Sequence, residues 1–211
     1  QAAAFGFTAD YLTPGRFNSI AMPGYPEIRL ALATPSQVAQ EIERVTPDCI
    51  HIATEGPLGL LARRYCLKRG RKFTTSYHTR FPEYLSARLP VPSLPLAALM
   101  RRFHAAAAAT MVSTQSLEDD LRAQGYGALM RWSRGVDAGL FHPGKAVRLA
   151  FARPIFLYAG RVAVEKNIEA FLSLDLPGTK LIVGDGPARV ALEARYREAH
   201  FLGAQEGEAL A

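Results

Sequence analysis

Tyr158-Ala-Gly-Arg-Val-Ala-Val-Glu-Lys-Asn167 joins an apolar run to a helical pattern through a short basic turn. The run Ile155 to Ala159 reads as a buried strand and breaks at Gly160-Arg161. Ile168, Phe171 and Leu172 then fall at the i, i+3, i+4 spacing of a helix face. Lys180-Leu-Ile-Val183 reads as a second buried strand, and it breaks at Gly184-Asp-Gly-Pro187. Strand, basic turn, helix is how a parallel α/β sheet builds an anion site. The helix N-terminus presents unpaired N–H groups and a partial positive charge. Arg161 and Lys166 add full charges at the same edge, so a diphosphate suits the place.

The same alternation extends outward in both directions. Downstream, a helix over Arg189 to Ala199 and a strand over His200 to Leu202 complete a βαβαβ unit, one half of a Rossmann-type domain. Upstream, Phe17 to Met22 and Ile28 to Ala33 read as short strands. Thr34-Pro-Ser opens a helix to about Arg44, with Val38, Ile42 and Val45 on one face. Asp48 to Ala53 reads as a buried strand, followed by the turn Thr54 to Gly59 and a helix from Leu58 to about Lys68. The next strand, Phe73 to Tyr77, ends at His78-Thr-Arg80. An apolar stretch punctuated by proline, Leu89 to Leu96, leads into a helix through Ala109. Thr110 to Ser113, a helix ending near Gln124, and Met130 to Ser133 follow. Phe141-His-Pro-Gly144 reads as a linker. The expected fold class is α/β: two Rossmann-like parallel-sheet domains, residues 1–140 and 141–211, with helices on both faces and the second domain cut short.

Composition narrows the classes. Of 211 residues, 49% are apolar and 21% charged, ordinary for a globular protein. The longest apolar candidate, Ala105 to Val112, is far shorter than the roughly 18 residues of a membrane span. A cytoplasmic protein is expected. The chain opens Gln1-Ala-Ala-Ala without methionine, which suggests that the N-terminus lies further upstream. Cys49 and Cys66, in an expected strand and an expected helix, read as two buried thiols of a reducing compartment. Two cysteines without a nearby histidine pair make no zinc site, and no metal is expected.

The net charge of +6 is uneven. Residues 1–140 hold 16 Lys/Arg against 11 Asp/Glu, and residues 141–211 hold 9 against 8. The excess gathers at Arg63, Arg64, Lys68, Arg69, Arg71 and Lys72, with Arg101 and Arg102 further on. The run lacks interleaved stacking aromatics, so nucleic acid is not an expected partner. A solvated helix face is the plainer reading, and an anionic membrane surface the alternative. The same choice applies to Pro92 to Phe103, which is apolar, doubly basic, then apolar: a helix packed on the sheet, or one resting on a membrane.

Ligands of open α/β sheets bind outside the carboxyl ends of the strands. Four segments place polar residues there: Thr54-Glu55-Gly56-Pro57, Tyr77-His78-Thr79-Arg80, Gly160-Arg161 with Glu165-Lys166, and Gly184-Asp185-Gly186. Two come from each expected domain, and a cleft between two such edges would suit a nucleotide-linked substrate. Glu55 either contacts an acceptor or caps a helix. Glu165 favours a helix N-terminus electrostatically. Gly135 and Asp137 read as turn formers. His51, His104, His142 and His200 read as structural or solvated.

The segment Gly160 to Asn167, with Val183-Gly-Asp-Gly-Pro187 and Phe201-Leu-Gly203, resembles the donor-binding half of the family-four retaining glycosyltransferases of GT-B fold. His51 to Gly59, Tyr77-His78-Thr79, and Arg134-Gly-Val-Asp137 with Phe141-His-Pro143 resemble upstream segments of the same family. The resemblance spans nearly the whole chain, and it implies roles. Arg161 and Lys166 would bind the sugar-nucleotide diphosphate and stabilise it as leaving group. His78 would approach the donor sugar. Gly160, Gly184, Asp185 and Gly186 would pass close to the nucleotide, and Phe201-Leu202 would border its base. Glu55, Gly56, Thr79 and Arg80 would lie on the acceptor side. The donor would be a nucleotide-diphosphate sugar, with no metal or other cofactor, and the acceptor a lipid or a glycan. A lipid acceptor would suit a peripheral contact on the inner face of an anionic membrane. The family also carries two glutamates eight positions apart further downstream, and a Gly-rich loop further upstream. The chain is therefore expected to be an internal stretch of a longer enzyme and inactive alone. The alternatives are another GT-B sugar-nucleotide enzyme, such as an epimerase, and a non-catalytic nucleotide-binding fragment.

Overall fold

A computed structural model describes residues 6–22, 25–78, 93–132 and 135–211. The chain divides into two compact units between Arg134 and Gly135.

The first unit opens on an antiparallel hairpin, β1 (Ser19–Met22) with β2 (Tyr25–Ala31). Helix α1 (Pro35–Val45) follows. Its start is fixed by a full capping box. The Thr34 hydroxyl accepts from the Gln37 N–H at 3.3 Å, and the Gln37 side chain accepts from the Thr34 N–H at 2.8 Å. Pro35 occupies the first helical position, where its missing N–H costs nothing. Val38 and Ile42 form the buried stripe. Thr46 ends the helix in the left-handed region at φ 43°.

Four parallel strands then form one sheet: β3 (His51–Ile52), β4 (Thr74–Ser76), β5 (Ala109–Val112) and β6 (Leu129–Arg131), in that order. The helices between them are α2 (Pro57–Lys68), α3 (Ser93–His104) and α4 (Gln115–Ala123). Strands laid down in sequence with right-handed crossovers put these connecting helices on one face. The packing agrees. Ile52, Cys66, Phe73, Phe103 and Ala107 form one core cluster, and Tyr77, Val112, Leu121 and Tyr126 another. With a period of two, Ile52, Thr75, Tyr77, Thr110 and Val112 face the helices. His51, Thr74, Ser76, Met111 and Met130 face the opposite way, where Met130 is exposed. Among the described residues, α2, α3 and α4 therefore pack on one face of this sheet.

β3 and β4 are shorter than expected, β4 covering only Thr74–Ser76 of the run Phe73 to Tyr77. The run Asp48 to Ala53 yields only His51–Ile52, and Cys49 is exposed rather than buried. Cys66 is buried, and burial pushes its thiol up. Helix α3 stops at His104, short of Ala109, and the Ala108 N–H pairs with the Phe73 carbonyl at 2.8 Å.

The second unit holds three parallel strands in the order β7 (Ile155–Ala159), β8 (Thr179–Val183) and β9 (His200–Gly203). Residues Thr179 to Ile182 of β8 are buried, as a central parallel strand requires. The connecting helices are short: α5 (Ile168–Leu172) and α6 (Arg189–Arg195). Val162, Ile168, Leu172, Ile182 and Ala199 form the core of the unit. The buried Lys180 satisfies its ammonium on the Leu172 carbonyl at 2.6 Å.

Removing the capping hydroxyl tests the helix-start argument. Thr34→Ala is expected to lower unfolding free energy by about 1 kcal/mol. It should appear as a lower urea midpoint with an unchanged slope. An unchanged midpoint would mean that tertiary packing alone holds α1.

Candidate functional site

The strand ends of the second unit are locked backbone to backbone. The Gly160 N–H donates to the Val183 carbonyl at 2.9 Å, and the Gly184 N–H donates to the Gly203 carbonyl at 2.8 Å. The Val162 N–H reaches the Asp185 carbonyl at 2.9 Å. Sheet pairing therefore continues past the last side chains of β7 and β8. A Cβ on Gly184 would lie 1.8 Å from the Gly160 oxygen, and its φ is 144°. Only glycine fits both constraints. The Gly186 N–H is occupied by its neighbour's carboxylate, Asp185 Oδ1, at 2.7 Å. Asp185 also pairs with Arg189 at 3.4 Å.

This frame carries the two expected cations. Arg161 follows Gly160 directly, and its carbonyl accepts from the Tyr158 hydroxyl at 2.8 Å. Lys166 is exposed and ends a single 3-10 turn, Val164–Lys166. The helix behind it, α5, has five residues and begins after Asn167 in the left-handed region at φ 46°. The expected contribution of a helix macrodipole is correspondingly small, and the side-chain charges carry the electrostatics of this edge. Phe201 is half-buried and packs against the core cluster of the unit, whereas Leu202 is exposed.

The first unit holds three histidines against its sheet: His51 opens β3, His78 follows β4, and His104 closes α3. On the open face, His51 Nδ1 lies 2.8 Å from the Thr74 hydroxyl and Nε2 lies 2.8 Å from the Ser76 hydroxyl. Burial holds the His51 imidazole below its ordinary range, and the neighbouring charge of His78 pushes it the same way. His78 is exposed two residues past β4, with its ring centroid 6.5 Å from that of Trp132. Trp132, 47% exposed, sits one residue past β6. The helix-side face holds His104, which bridges Thr75 at 2.9 Å and Glu55 at 3.1 Å.

Glu55 does not cap a helix. The N-cap of α2 is Gly56, and it receives no side-chain hydrogen bond. A Cβ on Gly56 would meet open space, but one on Gly59 would lie 1.9 Å from the Thr54 oxygen. The tight fit of this loop is therefore at Gly59, which sequence reading passed over. Thr79 and Arg80 lie outside the described residues. Asp137 is a turn former: its carboxylate accepts from the N–H groups of Gly139 and Leu140 at 3.0 and 3.1 Å. Among the described residues, no group of three His, Cys, Asp or Glu could hold a metal.

Residues 4–140 match the model of Glycosyltransferase Family 4. The chain belongs to this family. It is 30% identical over 210 residues to sulfoquinovosyl transferase SQD2 of Arabidopsis thaliana, covering 91% of this chain and 41% of that protein. It is 30% identical over 207 residues to a GDP-mannose-dependent alpha-mannosyltransferase of Corynebacterium glutamicum, covering 93% and 50%. The chain thus spans about half the length, or less, of these curated relatives. Sucrose-phosphate synthase from Thermosynechococcus elongatus superposes with a TM-score of 0.64 at 18% identity, over 84% of this chain and 50% of that one. HepE of Anabaena, solved with UDP and glucose, gives a TM-score of 0.55 at 17% identity, over 81% and 52%. These likenesses establish the GT-B-like α/β fold.

The basic run is partly engaged by the protein itself. Arg63 donates to the Phe103 and Arg102 carbonyls, Arg71 to the Pro47 carbonyl, and Arg101 to the Gln124 carbonyl. Arg69 pairs with Glu43 at 2.7 Å. Arg64, Lys68, Lys72 and Arg102 are exposed. No helix among the described residues is long and apolar enough to cross a membrane.

Two measurements check this geometry. Gly184→Ala is expected to cost the second unit about 2–4 kcal/mol, through the forced clash and backbone strain. A wild-type melting temperature for this variant would mean that the strand ends part freely. His51 gives a pH signature. Its folded pKa lies below its unfolded one, so between the two the unfolded chain holds more protons and acidification favours unfolding. Stability should fall as pH drops below about 6.5, the ordinary histidine value. His51→Gln should flatten that slope, and an unaltered slope would assign it to other groups.

Proposed function

We propose that the protein is a retaining glycosyltransferase that moves a sugar from a nucleotide-diphosphate donor to an acceptor hydroxyl. The observation that carries this reading is the locked edge at Gly160 and Gly184, which fixes the backbone bearing Arg161 and Lys166. Breaking a glycosyl–phosphate bond builds negative charge on the departing diphosphate. Cations fixed beside it stabilise the transition state more than the ground state. A charge-assisted contact is worth roughly 1.5–3 kcal/mol, so two supply on the order of a few thousandfold. Retention places the acceptor hydroxyl on the face the diphosphate leaves. The anomeric C–O bond to phosphate breaks, the bond to the acceptor oxygen forms, and the hydroxyl proton passes to a departing phosphate oxygen. Arg161 and Lys166 supply the charge this step needs, and no further cofactor is proposed.

On the first unit, His78 remains the candidate for contact with a sugar, and the exposed Trp132 beside it offers an indole face to a sugar ring. Glu55 meets the acceptor. The curated relatives are named for sulfoquinovosyl and mannosyl transfer, and a hexose is the corresponding substrate class here. The exposed Arg64, Lys68, Lys72 and Arg102 support a peripheral contact with anionic lipid on the cytoplasmic side, where a lipid acceptor is presented.

The test uses the full-length protein with UDP- and GDP-linked hexoses and a range of lipid and glycan acceptors. Lys166→Ala and Arg161→Ala should each lower kcat/KM by roughly ten- to a thousandfold. Unchanged values would remove these residues from the donor site. Product of inverted anomeric configuration, read by NMR, would overturn retention. Release of free nucleotide without any need for acceptor would favour an epimerase.

A further inference from the structure

We propose that His104 is a positioning residue that fixes the Glu55 carboxylate for the acceptor hydroxyl. This rests on the transferase reading above. His104 closes α3, and its side chain is 1% exposed. Both ring nitrogens are engaged, Nδ1 with the Thr75 hydroxyl at 2.9 Å and Nε2 with Glu55 Oε1 at 3.1 Å. The Thr75 hydroxyl continues to that of Thr110 at 2.9 Å. A chain of four side chains thus runs from the middle of β5 to the loop beyond β3.

The order of donors follows from the end group. An ionised carboxylate only accepts, so Nε2 carries the hydrogen that points at Glu55. With Nε2 as donor, Nδ1 accepts from the Thr75 O–H, and the Thr75 oxygen accepts from the Thr110 O–H. Every donor has one use. The rings of Phe103, Tyr77 and Tyr126 surround the imidazole at 5.1, 5.5 and 5.9 Å between centroids, so it cannot swing away.

Glu55 is held from a second side by its loop, which fits closely at Gly59. Its side chain keeps 12% exposure. A carboxylate fixed in both loop and orientation, and open to solvent at the carboxyl end of the strands, suits a single incoming hydroxyl. Stability does not require the arrangement, because replacing both partners of a buried hydrogen bond by apolar groups of the same shape can be nearly neutral. Its placement at the strand end instead matches orientation of a hydroxyl group, which needs preorganised partners.

The experiment compares full-length Glu55→Gln, His104→Ala, the double variant and His104→Gln. Glu55→Gln and His104→Ala are each expected to raise acceptor KM about tenfold, as loss of one charge-assisted contact does. Donor KM should stay unchanged. The double variant should be no worse than the more damaging single one, because both remove the same interaction. His104→Gln, whose amide still offers an N–H, should recover part of the loss. Effects that multiply, or an equal rise in donor KM, would overturn the proposal. A readout independent of turnover is the ring 15N spectrum of His104. A protonated Nε2 that responds to Glu55→Gln is expected, and an unprotonated Nε2 would break the chain. If the wild type transfers no sugar at all, the transferase reading fails and the role of Glu55 with it, while the 15N spectrum still decides the hydrogen-bond chain.

Discussion

The carbonyl of Gly160 stands where a side chain on Gly184 would have to be. This backbone crossing organises the second unit. It lets the ladder of β7, β8 and β9 continue beyond the strands, and it uses the N–H groups of Gly160, Val162 and Gly184 in doing so. The turn that follows begins from a fixed point, with Val162 and Ala163 buried behind it. Arg161 and Lys166 therefore rise from rigid backbone. In the proposed reaction their electrostatic value would depend on that rigidity, because a cation that need not reorganise stabilises developing charge most effectively.

The first unit uses side chains instead. The strands of its parallel sheet are two to four residues long, and β4 is wholly polar: Thr74, Thr75 and Ser76. On the open face His51 gathers the hydroxyls of Thr74 and Ser76, and on the helix side His104 gathers Thr75 and Glu55. Polar networks of this kind specify one arrangement when every member is satisfied. Much of the basic surface has a similar internal duty, since Arg63 and Arg101 tie neighbouring elements through main-chain carbonyls.

How much was legible in the sequence follows from how local each signal is. Ile155 to Ala159 reads true as the strand β7 but not as a buried one: it lies outermost in the described order β7, β8, β9, and Leu157 is 58% exposed, whereas the apolar run of the central β8 is buried. Thr34 and Gln37 announce α1 because a capping box lies within four residues. Membership in Glycosyltransferase Family 4 was legible in ordered short motifs. The polar strand β4 was found, but its length was not, since pairing rather than propensity ends a strand. Glu55 and His104 lie 49 positions apart, and no periodicity brings them together. Cys49 was expected buried because Asp48 to Ala53 reads as one strand, and the strand begins only at His51. Trp132, a lone aromatic, gave no pattern until the register of β5 and β6 set it beside His78.

The most direct test of the central claim is an amide chemical-shift titration of the 15N-labelled protein with UDP and with GDP. The account predicts shifts concentrated at Gly160, Arg161, Lys166 and the residues from Gly184 to Gly186. Shifts confined to the basic run at residues 63–72, or absent from the strand ends of the second unit, would contradict it.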